Sequence, residues 1–112
     1  MSYVPDFQEY QDQAAETAVY PKPIGLAYVA LGLAGEAGEI ANKVKKVYRD
    51  NGGKLLPEVR ATLVKEVGDA LWYVSALATE LGVDLQDVAA ANLAKLQDRK
   101  ERDVLKGSGD NR

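Results

Sequence analysis

Most of the chain carries apolar residues at the spacing of an α-helix, and this pattern constrains the fold more than any other feature. No alternating pattern of the kind typical of β-strands competes with it. The sequence therefore predicts an all-α fold, a helical bundle of four main helices. These helices are expected over about residues 6–18, 24–49, 57–82 and 84–102.

Residues that end or begin helices lie at the expected breaks. The segment 21–23 (Pro-Lys-Pro) follows the first helix, and 50–53 (Asp-Asn-Gly-Gly) follows the second. Gly82 stops the third helix. Asp84 is expected to cap the fourth, with Asp87 completing a box-like arrangement.

The third helix is apolar on both sides. Trp72 lies nearly opposite its wide apolar face, and the first half of the second helix is similarly apolar on two sides. The wide face consists of Leu63, Val67, Ala70, Leu71, Val74, Leu77, Ala78 and Leu81. A chain of 112 residues can hardly cover two such helices. We therefore expect a homo-oligomer, a dimer or a tetramer, whose subunits complete the bundle, with Trp72 at the interface.

The chain contains neither cysteine nor histidine. Their absence excludes disulfides, zinc sites built from thiolate or imidazole, cysteine nucleophiles and Ser-His relays. Any chemistry must depend on carboxylates, amines, hydroxyls or a metal held through oxygen.

The charge balance and hydropathy give no sign of a polyanionic or membrane partner. The 14 Lys and Arg against 17 Asp and Glu give a formal net charge of -3. No basic surface for a nucleic-acid polymer or an anionic membrane is expected. No apolar run approaches the roughly 18 residues of a membrane span, and no signal for export is evident. A cytoplasmic location is therefore expected.

One domain accounts for nearly all of the chain, because no composition shift or repeat divides it. We assign residues 1–105 to a single helical domain. Residues 106–112 are rich in glycine and polar side chains and are expected to form a flexible tail.

Six pairs of acidic residues are spaced three apart, so spacing alone says little. Two pairs differ from the rest because they lie among small and apolar residues: Glu36 with Glu39, and Glu66 with Asp69. Two antiparallel helices could direct all four carboxylates to one point, which would suit Mg²⁺, with Mn²⁺ as an alternative. Glycines in the same stretch (Gly32, Gly35 and Gly38) would let another backbone or a phosphate come close.

The other interpretation, equally favoured by these local features, is that the four acids form surface salt bridges with Lys43, Lys45, Lys46 and Lys65.

The two acidic blocks resemble the all-α nucleoside triphosphate pyrophosphohydrolases of the MazG-like group. Glu36-x-x-Glu39, 26 intervening residues and Glu66-x-x-Asp69 match that group's signature. The surrounding blocks, 32–40 (GLAGEAGEI) and 66–73 (EVGDALWY), are also similar to those of the family. The resemblance extends over about residues 24–102.

This resemblance implies Mg²⁺-dependent cleavage of a nucleoside triphosphate, ribo- or deoxyribo-, between the α and β phosphates. The products would be the monophosphate and pyrophosphate, in a house-cleaning or pool-controlling role. Glu36, Glu39, Glu66 and Asp69 would be the metal ligands. Because no histidine is present, Glu39 or Glu66 is our candidate for the catalytic base.

Downstream residues would bind the substrate. Asn92-x-x-Lys95-x-x-x-Arg99 resembles the family's basic motif; Lys95 and Arg99 lie one helical turn apart and suit phosphate oxygens, and Asn92 suits the sugar or base. Lys43 is either a phosphate ligand or an intrahelical partner of Glu39. Arg112 could reach the triphosphate if the tail closes over it.

An interpretation from another functional class, a binding module instead of an enzyme, stays open. The same acidic stripe would serve a helical adaptor or a toxin-neutralising module that binds a basic partner without turnover.

Overall fold

The computed structural model describes residues 3–111, in which all regular secondary structure is helical and no strand is present. The four helices are α1 (Phe7–Ala15), α2 (Gly25–Asn51), α3 (Pro57–Glu80) and α4 (Leu85–Glu101). A single turn of 3-10 helix, Lys22–Ile24, precedes α2. The expected all-α class with four main helices is confirmed. The largest difference is that α1 ends three residues earlier than expected.

Side-chain caps form at a different helix from the one expected. At α1, the Asp6 side chain accepts from the Glu9 N–H at 2.8 Å and the Glu9 side chain accepts from the Asp6 N–H, which makes a capping box. Asp84 occupies the N-cap position of α4, but its side chain makes no capping hydrogen bond. The expected Asp84 cap is therefore wrong. The Leu85 N–H at this helix start donates instead to Gln11 Oε1 at 2.7 Å, a contact from α1.

Helices α2 and α3 form an antiparallel hairpin that carries both acidic blocks. Gly52 and Gly53 turn the chain between them with φ values of 59° and 85°, a region that glycine enters without steric cost. Pro57 then starts α3, where its missing N–H is not needed. The hairpin places the end of one acidic block beside the start of the other.

A small core lies where the segment after α1, the start of α2 and the second half of α3 meet. Its buried members are Tyr20, Val29 and Ala76. Trp72 packs against this cluster and donates from Nε1 to Thr17 Oγ1 at 2.8 Å. Trp72, expected at a subunit interface, is thus engaged within its own chain, because the segment after α1 covers that side of α3.

Much of the remaining apolar surface is uncovered. The accessible surface is 8129 Å², whereas a compact monomer of this mass exposes about 6000 Å². The radius of gyration is 17.0 Å, against about 13 Å for a compact domain of this length. On the wide face of α3, Val67 and Leu81 are 58% and 60% exposed. One chain therefore does not complete its own bundle.

One stretch, Lys22–Asn51, is long and apolar enough to cross a membrane by length and composition alone. This departs from the expectation that no run approaches a membrane span. Core helices of soluble proteins and signal sequences have the same length and composition. The stretch carries Glu36 and Glu39, and ionised groups are costly in lipid.

Candidate metal centre

Three carboxylates from α2 and α3 converge on one point. Glu36 projects from α2, and Glu66 and Asp69 project from successive turns of α3. One oxygen from each of the three lies within 4.8 Å of the others. The three-residue spacing puts Glu66 and Asp69 on one side of α3, and the hairpin brings Glu36 to that side.

Glu36 is the member of this cluster whose charge is least well compensated. Its Oε2 is buried without a hydrogen-bond partner among the described residues. The pKa of Glu36 is raised to about 7, first because a protonated Glu36 would hydrogen-bond to Glu66, and then through burial and the nearby negative charges. A buried carboxylate in this position needs a proton or a cation. The cluster therefore fits a hard cation such as Mg²⁺ or Mn²⁺, both of which prefer oxygen ligands.

Glu39 and Lys43 lie beside the cluster rather than in it. Lys43 Nζ is 3.6 Å from Glu39 Oε2 and 3.6 Å from Glu66 Oε1. The Glu39 side chain is 60% exposed, whereas that of Glu66 is 18% exposed. The expected salt bridges therefore form at Glu39 and Glu66, both with Lys43. Among the described residues, Glu36 and Asp69 form no ion pair with a lysine.

Two open spaces flank the acidic cluster. A pocket of about 200 Å³ is lined by Glu36, Asp69, Trp72 and Tyr73. A groove of about 330 Å³, farther along the hairpin, is lined by eight residues: Lys43, Lys46, Val47, Asp50, Asn51, Glu58, Val59 and Thr62. An aromatic pocket and a lysine-bearing groove therefore lie on either side of the carboxylates.

The glycines of the first acidic block have different surroundings. A Cβ on Gly32 would lie 2.1 Å from Tyr73 Cε1, so the aromatic ring occupies the space that a side chain would need. Gly35 and Gly38 have nothing within 4 Å of an added Cβ. The group that comes close at Gly32 is thus the Tyr73 ring, rather than a backbone or a phosphate, and this ring forms one wall of the aromatic pocket.

The predicted phosphate ligands of α4 are occupied by the segment that follows the helix. Lys95 Nζ and Arg99 Nη2 each donate to Asp110 Oδ1 at 3.2 Å. Asn92 lies on the same helix and is exposed. Helix α4 packs against α1 and α3 but makes no contact with α2 among the described residues. Arg112, the remaining predicted substrate ligand, lies outside the described residues.

The sequence matches the family model for the MazG nucleotide pyrophosphohydrolase domain over residues 26–103. The chain belongs to this family. It is also similar to the Gene 37 protein of Mycobacterium phage L5, with 53% identity over 109 residues that cover 92% of this chain and 96% of that protein. No solved structure matches the chain significantly.

The MazG match confirms the resemblance drawn from the acidic blocks, and it contains all three converging carboxylates. Asn92, Lys95 and Arg99 also fall within the matched range, whereas Asp110 lies beyond it. Sequence reasoning did not single out Asp110 or the contact between Gly32 and Tyr73. The sequence signal for Asp110 is an acidic residue in a glycine-rich tail. The signal for the Gly32 contact is a glycine within an apolar helix face.

Proposed function

We propose that this MazG domain is an Mg²⁺-dependent nucleoside triphosphate pyrophosphohydrolase. It would cleave ribo- or deoxyribonucleoside triphosphates with water between the α and β phosphates, yielding the monophosphate and pyrophosphate. The observation that carries the proposal is the convergence of Glu36, Glu66 and Asp69 inside the family match. A house-cleaning or pool-controlling role in the cytoplasm is part of the same proposal.

The metal would be held by Glu36, Glu66 and Asp69, and Glu39, from the adjacent turn, would be a fourth ligand in the case that Glu66 rather than Glu39 is the base. Mg²⁺, or Mn²⁺ in its place, would neutralise triphosphate charge and help to orient the attacking water. The unpartnered oxygen of Glu36 supports this assignment, because a cation at that point relieves the repulsion within the cluster.

A carboxylate must take the proton of the attacking water, because the chain has no histidine. Glu39 and Glu66 are the two candidates. We favour Glu39, since Glu66 is enclosed in the cluster while Glu39 is exposed beside it. Lys43, within reach of both, would shift its ion pairs toward phosphate oxygens when substrate binds.

The substrate would contact further residues around the carboxylates. The pocket that includes Trp72 and Tyr73 has aromatic surface for a base, and the groove that includes Lys43 and Lys46 has cations for phosphates. Lys95 and Arg99 would bind phosphate oxygens, Asn92 the sugar or base, and Arg112 the triphosphate. Nothing in this scheme calls for a nucleic-acid polymer or a membrane.

A homo-oligomer, a dimer or a tetramer, would complete the fold. The excess of accessible surface over that of a compact monomer is about 2000 Å² per chain. Burial of this amount by each of two subunits falls within the range of obligate interfaces. The uncovered α3 face, which includes Val67 and Leu81, is the surface that we assign to a second copy.

The test is a panel of ribo- and deoxyribonucleoside triphosphates, assayed with and without Mg²⁺, with pyrophosphate and orthophosphate measured separately. Pyrophosphate should appear only with the metal. Glu39→Gln should lose activity by about 10²- to 10⁴-fold, as expected on removal of a general base. Glu16→Gln, an exposed carboxylate at the end of α1, is the matched control and should retain activity.

Two results would contradict the proposal. Orthophosphate as the primary product would indicate phosphatase or NTPase chemistry. Absence of release from every nucleotide would favour a non-catalytic interaction module.

A further inference from the structure

The segment after α4 turns back onto the helix that it follows. Asp103 has a left-handed φ of 57°, which aspartate adopts more readily than most residues. The Val104 N–H donates to the Arg99 carbonyl at 2.9 Å, and the Asp103 N–H donates to the Lys100 carbonyl at 3.2 Å. These two bonds form a Schellman motif. The reversal of the chain is therefore encoded locally, at the end of the helix.

The reversed segment places one carboxylate between two cations. Asp110 Oδ1 accepts from Lys95 Nζ and from Arg99 Nη2, both at 3.2 Å, and the Asp110 carbonyl accepts from Arg99 Nη2 at 2.9 Å. Arg99 is only 5% exposed although it lies on a largely exposed helix. The hydrogen bonds from Lys95 and Arg99 lower the pKa of Asp110, so its side chain is ionised at neutral pH.

We infer that Asp110 is an intramolecular competitor for the phosphate site formed by Lys95 and Arg99. An anionic oxygen shared by two cations one helical turn apart is the arrangement that a phosphate oxygen would adopt there. Because Arg99 is 5% exposed and its Nη2 donates to Asp110, a phosphate group would take this donor by displacing Asp110. The identity of the displacing anion as a triphosphate rests on the proposed function.

The contact of Asp110 with Lys95 and Arg99 is one that another anion can displace. The Asp110 side chain is 81% exposed although Arg99 is buried, so solvent screens the carboxylate and weakens its hold on the two cations. A phosphate group carries more negative charge than a carboxylate and offers more acceptor oxygens. Substrate at sufficient concentration therefore displaces Asp110, whereas in the free chain Asp110 occupies the site.

The test is calorimetric titration of inorganic pyrophosphate into the full chain. Asp110→Asn should bind pyrophosphate about two- to fivefold more tightly than the unaltered chain, because the competing charge is lost. Asp103→Asn removes the same charge from the same segment, and asparagine also tolerates the left-handed conformation. This control should bind as the unaltered chain does. In a Lys95→Gln background, Asp110→Asn should give a smaller gain.

Several outcomes would overturn the inference. Equal affinity of Asp110→Asn and the unaltered chain would show that the contact does not compete. Weaker binding by Asp110→Asn would make the segment a lid or a positioning element. An equal gain in affinity from Asp103→Asn would show that net charge alone causes the effect. Absence of pyrophosphate binding would show that Lys95 and Arg99 do not form an anion site. Because this titration needs no turnover, its result is independent of whether any nucleotide is hydrolysed.

Discussion

Acidic residues with the same three-residue spacing have different environments in this chain. Asp6 and Glu9 satisfy backbone N–H groups at the start of α1 and form its capping box. Glu66 and Asp69 instead meet Glu36 across the hairpin. The spacing fixes only that two carboxylates share one side of a helix, whereas the neighbouring element decides what that side does.

The raised pKa of Glu36 gives a prediction for the effect of metal on stability. Its folded-state pKa of about 7 lies above the usual value of 4.5. Without metal, the contribution of Glu36 to stability is therefore fully present below about pH 4.5 and is lost as the pH rises through about 7. Mg²⁺ competes with the proton, so the Mg²⁺-dependent rise in Tm should be larger at about pH 8 than at about pH 5.5.

Thermal unfolding with and without Mg²⁺ at several pH values checks this expectation. Glu36→Gln should flatten the pH dependence of Tm without metal and reduce the stabilisation by Mg²⁺. Glu16 is exposed and remote from the cluster in sequence. Glu16→Gln should therefore leave the pH dependence of Tm and the stabilisation by Mg²⁺ unchanged. A rise in Tm on addition of Mg²⁺ that is the same at both pH values would contradict the assignment of Glu36.

At the level of elements, one buried side chain joins three helices. Gln11 of α1 donates from Nε2 to Thr79 Oγ1 at 3.1 Å and to the Val83 carbonyl at 3.0 Å, and it accepts from the Leu85 N–H. Since Gln11 is 6% exposed, water cannot readily replace these bonds. It performs at the start of α4 the role that local sequence assigns to Asp84.

Gln11→Ala should therefore destabilise the fold by about 1–3 kcal/mol, because it leaves buried backbone groups without partners. Urea unfolding monitored by circular dichroism measures this change. Gln86→Ala, at an exposed position near the start of α4, is the control and should change the free energy of unfolding by less than about 0.5 kcal/mol. Equal effects of the two changes would show that the Gln11 contacts add nothing specific.

At the level of the whole molecule, the uncovered faces give a prediction about assembly. A charge placed at Val67, which is 58% exposed on the wide α3 face, would be buried against a second subunit. Val67→Glu should therefore convert the oligomer into a monomer at micromolar concentration, because an unpaired buried charge is costly. Light scattering coupled to size exclusion gives the mass directly.

Val19→Glu is the matched control, because Val19 is 92% exposed in the segment after α1 and lies away from the α3 face. It should leave the mass unchanged. A monomeric mass for the unaltered chain would contradict the assembly itself. Dissociation by both variants would place the interface elsewhere.

The sequence determined the parts that depend on local periodicity and on short motifs. Helix number, approximate helix bounds and the two acidic blocks follow from residue order, because a helix repeats every 3.6 residues and glycine or proline ends it. The same blocks indicate the family, which the match over residues 26–103 confirms.

Only the tertiary structure decided which side chains meet. It brings Glu36 to Glu66 and Asp69 while Glu39 faces Lys43, although the sequence treats all four acids alike. Likewise, it places Asp110 against Lys95 and Arg99, the predicted phosphate ligands of α4. Periodicity gives the face of a helix on which a residue lies, but the crossing of helices and the course of a turn decide its partner. The residues of the candidate metal site could thus be identified from the sequence, whereas their geometry depended on contacts between residues far apart in the chain.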